Sequence, residues 1–417
     1  MDRATRRSLA AKLFDDVAAR SRDGEGITRE SYGPTESTAL DLLERFAQSE
    51  GLTTARDAAQ NLVVGLPDKA SGAAIYVGSH LDSVPQGGNF DGLAGVVAGL
   101  LCLVDFRREG AQPPRPVRVL GLRGEESAWF GKAYMGSGAL LGKLTGEDLD
   151  LRHRSDARTL AEAMAGTGVE VERVRRGERF FDVDGAAAYL ELHIEQGPVL
   201  VAGKWPTAIV TGIRGNIRHK HVVCRGEAGH SGAVPRGLRR DAVLATAELM
   251  HRLDEHWAGW LERGLDLVLT FGIVSTDPRA HAMSRIPGEL TFSFEVRSQS
   301  RETLEEFYEL FHTECKSVAN ERKVGFEFDR RLETPPARLD ERWVARLLEL
   351  SGRLGLPAER VPSGAGHDAA MFAAAGVPSG MIFIRNEHGS HNPHEAMDLD
   401  DFVLGVELLR LALSEPL

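Results

Sequence analysis

The stretch Ala73-Ala74-Ile75-Tyr76-Val77-Gly78-Ser79-His80-Leu81-Asp82 decides the fold. Its first seven residues are apolar or small and read as a buried strand running into a loop. Gly92 to Phe106 follows, rich in Leu, Val and Ala with small residues early, and reads as a buried helix. Val117 to Leu122 is again mostly apolar, as strands of a parallel or mixed sheet are. Strand, loop, helix, strand is α/β order. In such sheets chemistry gathers in the loops beyond the strand ends. Upstream, residues 5–21 and 36–50 show helical apolar spacing, the second behind Pro34 and Thr35.

The pattern changes after about residue 206. Ile217 to Arg225, Leu265 to Val274 and Glu289 to Val296 alternate like half-exposed strands. Arg240 to Arg263 and Glu302 to Arg322 between and after them read as amphipathic helices, with Gly264 ending the first. The α/β style returns near Pro357. The expected organisation is a discontinuous α/β domain, residues 1–206 and 325–417, with a smaller α+β block inserted at 207–324.

The chain has 417 residues, enough for two domains. Hydrophobic residues at 42% and charged ones at 27% are ordinary globular values. A formal charge of −11 argues against a nucleic-acid binder, which carries a basic stripe. Cys102, Cys224 and Cys315 are far apart and form no CxxC pair, which points to a reducing compartment without a disulfide framework. No apolar run follows Met1 as a signal peptide requires, and no stretch is long enough to span a membrane. A cytoplasmic location is expected.

Gly78 to Gly92 contains His80, Asp82 and Asp91 among several glycines, between the strand and the buried helix. Imidazole nitrogen and carboxylate oxygen suit Zn²⁺ and similar ions. Asp82, two residues after His80, is placed to receive the ring's other N–H. Alone, such a run is as well read as a glycine-rich turn with a solvated Asp. Arg123-Gly124-Glu125-Glu126-Ser127 directly follows the second strand. Neighbouring acids point in different directions, so one can hold a metal while the other stays free as a base. Glu191-Leu192-His193-Ile194-Glu195-Gln196-Gly197-Pro198, Gly366-His367-Asp368-Ala369 and His388-Gly389-Ser390-His391-Asn392-Pro393-His394-Glu395 add further nitrogen and oxygen ligands. Each fragment is weak; together they supply enough for more than one ion.

The ordered set His-x-Asp, Phe-Asp-Gly, Glu-Glu, His-Ile-Glu-Gln-Gly-Pro, Gly-His-Ser-Gly, Gly-His-Asp-Ala and Ser-His-Asn-Pro resembles the M20-type metallopeptidase superfamily. More narrowly it is similar to the hydantoinase/carbamoylase branch, which includes N-carbamoyl-L-amino-acid hydrolases, β-ureidopropionase and allantoate amidohydrolase. The resemblance implies a di-metal catalytic domain with a mixed sheet flanked by helices, and an inserted ferredoxin-like lid and dimerisation domain. It implies two divalent ions per subunit, Zn²⁺ or else Mn²⁺, Co²⁺ or Ni²⁺. His80 and His193 would hold one, Glu126 and His391 the other, and Asp91 would bridge both. Glu125 would be the general base, Asp82 would orient His80, and His230 would donate to the oxyanion after domain closure. Arg297 would grip the carboxylate of a small-molecule substrate, Gln196 would meet its carbamoyl end, and His367 would line the pocket. His394 lies outside the pattern and reads as a surface residue. A homodimer is implied, with no nucleic-acid or membrane partner.

Three departures concern the pocket. Ser284 stands in Ser284-Arg285-Ile286-Pro287-Gly288 where the family often has Asn, leaving one hydroxyl and no amide. Arg236, in Ala233-Val234-Pro235-Arg236, adds a charge near His230. Trp129, in Ser127-Ala128-Trp129-Phe130, offers an aromatic wall. The expected function is metal-dependent cleavage of a linear C–N bond in an N-carbamoyl amino acid or allantoate-like substrate. An aminopeptidase or dipeptidase of the same superfamily is the alternative, though peptidase branches commonly carry an acid where His193 stands. A non-catalytic binding homologue is a third reading, opposed by the intact Glu125 and ligand set.

Overall fold

The structure, a computed structural model, describes residues 1–67 and 71–417. The chain forms two compact units, Met1–Thr211 with Arg338–Leu417, and Gly212–Ala337.

In the larger unit one mixed sheet runs in the order Thr207–Ile213, Ser379–Ile384, Ala186–Ile194, Ala74–His80, Val117–Leu122, Leu62–Gly65, Thr53–Arg56. The four strands from Ser379–Ile384 to Val117–Leu122 are mutually parallel, and the outer pairs are antiparallel. A parallel pair needs a crossover, and the helix Leu93–Glu109 supplies it between Ala74–His80 and Val117–Leu122. Leu93 to Phe106 are all buried. This follows from a sequence apolar on every side: the helix packs against the sheet on one side and against Leu399–Ser414 and Arg3–Ser21 on others. Pro34 occupies the first turn of the helix Pro34–Ser49, where its missing N–H costs nothing.

The parallel strands all end at one edge. His80 closes its strand opposite Leu122, and His193 lies opposite Phe383 one residue before its strand ends. The Arg123–Ser127 loop and the Arg385–Glu395 segment leave from the same edge, so distant parts of the sequence meet there.

In the smaller unit Glu289–Ser298 and Gly215–Arg225 pair antiparallel at the centre of a sheet that also includes Val268–Thr270 and Gly325–Phe328. Leu290, Phe292, Phe294 and Val296 alternate inward and meet the helices Ala242–Glu262 and Arg301–Arg322. Phe294 stacks on Phe311 with ring centroids 3.9 Å apart. Burial of each such ring contributes about 2–3 kcal/mol. Asp241 and Ser300 cap the two helices through side-chain oxygens.

The units divide at 211/212 and 337/338 rather than at 206/207 and 324/325. Thr207–Ile213 joins the larger sheet beside Ser379–Ile384. Gly325–Phe328 and Leu332–Thr334 both pair with Gly215–Arg225 and so belong to the smaller unit. The strand expected over Leu265–Val274 is two short ones, Val268–Thr270 and Val274–Ser275, each paired with Glu289–Ser298. Among the described residues no helix is long and apolar enough to cross a membrane, and the three cysteines are buried free thiols.

Candidate metal centre

Asp91 sits in the turn before the buried helix, and Gly92 makes its position possible. Gly92 has φ +66°, and a Cβ there would lie 2.5 Å from the His80 ring. Only glycine gives both the left-handed backbone and the room. Asp91 Oδ1 then faces His80 Nε2 at 3.4 Å and His193 Nε2 at 3.2 Å. Its Oδ2 faces His391 Nε2 at 3.4 Å, and the same nitrogen lies 3.2 Å from Glu126 Oε1. The residues therefore form two clusters, His80–Asp91–His193 and Asp91–Glu126–His391, with one carboxylate common to both.

These spacings fit a cation better than hydrogen bonds. Ligands about 2.0–2.1 Å from a tetrahedral ion stand about 3.3 Å from each other. Oδ1 of Asp91 is buried with no hydrogen-bond partner among the described residues, which is costly unless a cation completes it. The second nitrogens of the two buried imidazoles are already engaged. His80 Nδ1 lies 3.1 Å from the Asp82 carbonyl and 3.3 Å from its Oδ1, and His193 Nδ1 lies 2.9 Å from the Ile194 carbonyl. Both rings therefore turn Nε2 toward Asp91, as a ligating histidine does. His391 is half exposed and has φ +61°.

The field points the same way. Burial pushes Asp91 up, but the facing imidazoles of His193, His391 and His80 outweigh it and hold its carboxyl well below the usual range. His391 is raised to about 11 by the facing carboxylates of Asp91 and Glu126. Burial works against a charged His80, yet Asp82 and Asp91 raise it well above the ordinary imidazole range. The carboxylates thus draw positive charge to the positions that an ion would take. Buried Arg29, lowered to about 10 mainly by burial, supplies fixed positive charge beneath them and donates to the Leu81 carbonyl and Asn89 Oδ1.

Asp82 does more than face His80. Its Oδ1 accepts the Glu125 N–H at 2.9 Å, and its Oδ2 accepts the Glu126 N–H at 3.0 Å and the Ser31 hydroxyl at 2.6 Å. One carboxylate therefore sets both the His80 ring and the backbone of the two adjacent acids. Arg123 pairs with buried Glu36, whose other oxygen accepts the Gly124 N–H, fixing the other end of this loop. Burial pushes Glu125 well above the carboxylate range; the field of His80 opposes this, and Glu126, Asp368 and Asp82 add to it.

Gln196 is placed differently from the expectation. Its Nε2 donates to Asp91 Oδ2 at 2.7 Å, and its buried Oε1 has no hydrogen-bond partner among the described residues. His367 is buried against the His193 ring, centroids 4.4 Å apart; its Nε2 lies 2.8 Å from the Ser363 hydroxyl and its Nδ1 has no hydrogen-bond partner among the described residues. His394 is exposed. Trp129 is no pocket wall. It is 6% exposed, stacks on His153 at 5.4 Å, donates from its indole N–H to the Ser83 carbonyl, and belongs to a core cluster with Tyr32 and Phe130.

His230, Ser284, Arg236 and Arg297 lie in the smaller unit. Gly229–His230 pairs with Arg285–Ile286, and the Ser231 N–H donates to the Ser284 carbonyl at 2.8 Å, so these two motifs adjoin. The Gly232 N–H donates to His230 Nδ1 at 3.1 Å, which leaves the proton of the neutral ring on Nε2. Arg236 is exposed in a short 3₁₀ turn. Arg297 is not simply solvated: its guanidinium lies 3.0 Å from Glu295. Sequence reasoning gave no role to Glu395 or Ser390. Both had been quoted beside His391, but hydrogen bonds to Asp91 and its neighbour across about three hundred residues leave no mark in spacing.

The chain is similar to known proteins over most of its length. The family described as "Peptidase family M20/M25/M40" matches residues 76–415. The chain is 34% identical over 387 residues to an N-carbamoyl-L-amino acid amidohydrolase of Geobacillus stearothermophilus, covering 92% of each chain. It is 33% identical over 394 residues to an allantoate amidohydrolase of Escherichia coli (strain K12), covering 94% of this chain and 93% of that one. The crystal structure of a hydantoinase/carbamoylase family amidase from Burkholderia ambifaria superposes with a TM-score of 0.86 at 29% identity, covering 99% of this chain and 95% of the other.

Proposed function

This chain belongs to Peptidase family M20/M25/M40, and on that footing we propose that it is a metal-dependent amidohydrolase of linear, non-peptide C–N bonds. Its substrate is an N-carbamoyl amino acid or an allantoate-like ureido acid. The observation that carries the reading is the division of the Asp91 carboxylate, Oδ1 toward His80 and His193 and Oδ2 toward His391, the partner of Glu126. The relatives named for N-carbamoyl-L-amino acid and allantoate hydrolysis supply the substrate class.

His80, His193 and Asp91 would hold one divalent ion, and Asp91, Glu126 and His391 a second. The ions would be Zn²⁺, with Mn²⁺, Co²⁺ or Ni²⁺ also suited to these ligands. Such ions polarise a scissile carbonyl and lower the pKa of water toward neutrality. Glu125 accepts the proton of the attacking water and delivers it to the leaving nitrogen. Asp82 holds the Glu125 backbone and the His80 ring in register for this. His230 donates from Nε2 to the developing oxyanion. Arg297 takes the substrate carboxylate, exchanging its contact with Glu295 for a two-point pairing. Gln196 keeps its amide nitrogen on Asp91 and offers Oε1 to a ureido N–H. His367 offers its Nδ1, and Ser284 a single hydroxyl. The smaller unit serves as lid and dimerisation domain, and the enzyme is a cytoplasmic homodimer, a setting in which free Cys102, Cys224 and Cys315 are stable.

The test is a substrate panel with metal-reconstituted enzyme: N-carbamoyl-L-amino acids, N-carbamoyl-β-alanine, allantoate and dipeptides. Ammonia release from a ureido substrate is expected. Release of amino acids from dipeptides alone would refute the assignment.

A further inference from the structure

We propose that Glu395 is the positioning residue that sets the distance between the Asp91 and His391 loops, and with it the second ion subsite; this rests on the two-ion reading above. Glu395 is 8% exposed. Its Oε1 accepts the N–H groups of Phe90 at 2.8 Å and Asp91 at 3.2 Å. Its Oε2 lies 2.5 Å from Ser390 Oγ and Asp91 Oδ2 lies 2.6 Å from the same atom, so the one hydroxyl proton is shared between the two carboxyls. One carboxyl thus joins the backbone of the bridging residue, the residue directly before His391 and, through that hydroxyl, the bridging carboxylate itself.

The sequence makes room for this strut. The Gly88 Cα lies against the Glu395 carboxyl, so that a Cβ at position 88 would overlap it. Asn386 and Asn392 brace the His391 loop internally, through the carbonyls of Gly389 and of His388 and Ser390. Those bonds shape the loop, whereas Glu395 and Ser390 tie it to Asp91. His80 and His193 are strand-end residues held by the sheet and have no such dependence. The dependence is therefore unequal: both subsites share Asp91, but the first keeps His80 and His193 on the sheet, whereas the second also relies on His391, whose loop Glu395 and Ser390 tie down. Partners that orient a metal ligand are worth about 10- to 100-fold in metal affinity.

The experiment uses the full chain loaded with Zn²⁺, its ion count read by native mass spectrometry and its ion loss followed under a chelator. Wild type holds two ions. Glu395→Ala and Ser390→Ala lose the second ion about 10- to 100-fold faster than wild type does, and the first by a smaller factor. Glu395→Gln retains the second ion, because its amide accepts the two N–H groups and donates to Ser390. Gly88→Ala removes no hydrogen-bonding group yet displaces the strut, and behaves as Glu395→Ala does. Wild-type retention of both ions in Glu395→Ala and Ser390→Ala overturns the inference, as does equal loss of both ions. A wild type that holds only one ion overturns the two-ion reading instead.

Discussion

Gln196 donates from its side-chain amide to Oδ2 of Asp91 at 2.7 Å. The residue expected to meet the substrate is thus attached to the bridging carboxylate, and a single amide links substrate contact to the metal ligands. Gln196→Leu removes one of the two side-chain donors on Oδ2, the other being Ser390. We expect kcat/KM to fall by about 10- to 100-fold, with faster metal loss under a chelator. Kinetics and metal analysis on the same sample check this. A change confined to KM would assign Gln196 to substrate alone.

His230 carries its proton on Nε2 because the Gly232 N–H occupies Nδ1. An oxyanion donor acts on the transition state, so His230→Ala should lower kcat by about 10²- to 10³-fold while metal content stays at the wild-type level. Steady-state kinetics beside metal analysis decide it. A kcat within a few-fold of wild type would remove His230 from the mechanism.

Both oxygens of Asp82 are engaged by donors: Glu125 N–H and His80 on one side, Glu126 N–H and the Ser31 hydroxyl on the other. Asn at this position must turn an NH₂ toward donors in either orientation. Asp82→Asn is expected to destabilise the metal-free protein by about 1–3 kcal/mol. Chemical denaturation of the two metal-free proteins measures it, and equal midpoints would contradict the bonding described.

The legible part of the fold was the part written locally. Val117–Leu122 is apolar except for Arg118, and its strand has those bounds. Leu93–Phe106 reads as buried because no polar face interrupts it before Asp105. The units' limits were not legible. Thr207–Ile213 resembles the strands that follow it and is assigned to the larger sheet by pairing with segments far along the chain, Ser379–Ile384 and Arg360–Ser363 among them. The site divides in the same way. His80, Asp91, Glu126, His193 and His391 are marked by residue type and motif. The partners of Glu395, the packing of Trp129 against His153, and the donor end of Gln196 depend on contacts between remote segments.

Arg297 is expected to take the substrate carboxylate. A charge-assisted pair contributes about 1.5–3 kcal/mol, so Arg297→Ala should raise KM about 10- to 100-fold with a smaller change in kcat. Arg297→Lys should recover only part, because an ammonium lacks the planar fork. The KM values of the three proteins on one N-carbamoyl amino acid test this, and equal values would exclude Arg297 from binding.

The central claim is that two ions joined by Asp91 drive the hydrolysis. It is tested most directly by titrating metal-free enzyme with Zn²⁺ or Mn²⁺ while following ammonia release from an N-carbamoyl-L-amino acid or allantoate. Negligible release without metal and a plateau near two equivalents per chain are expected. Full activity in the metal-free protein, or a plateau at one equivalent, would contradict that claim.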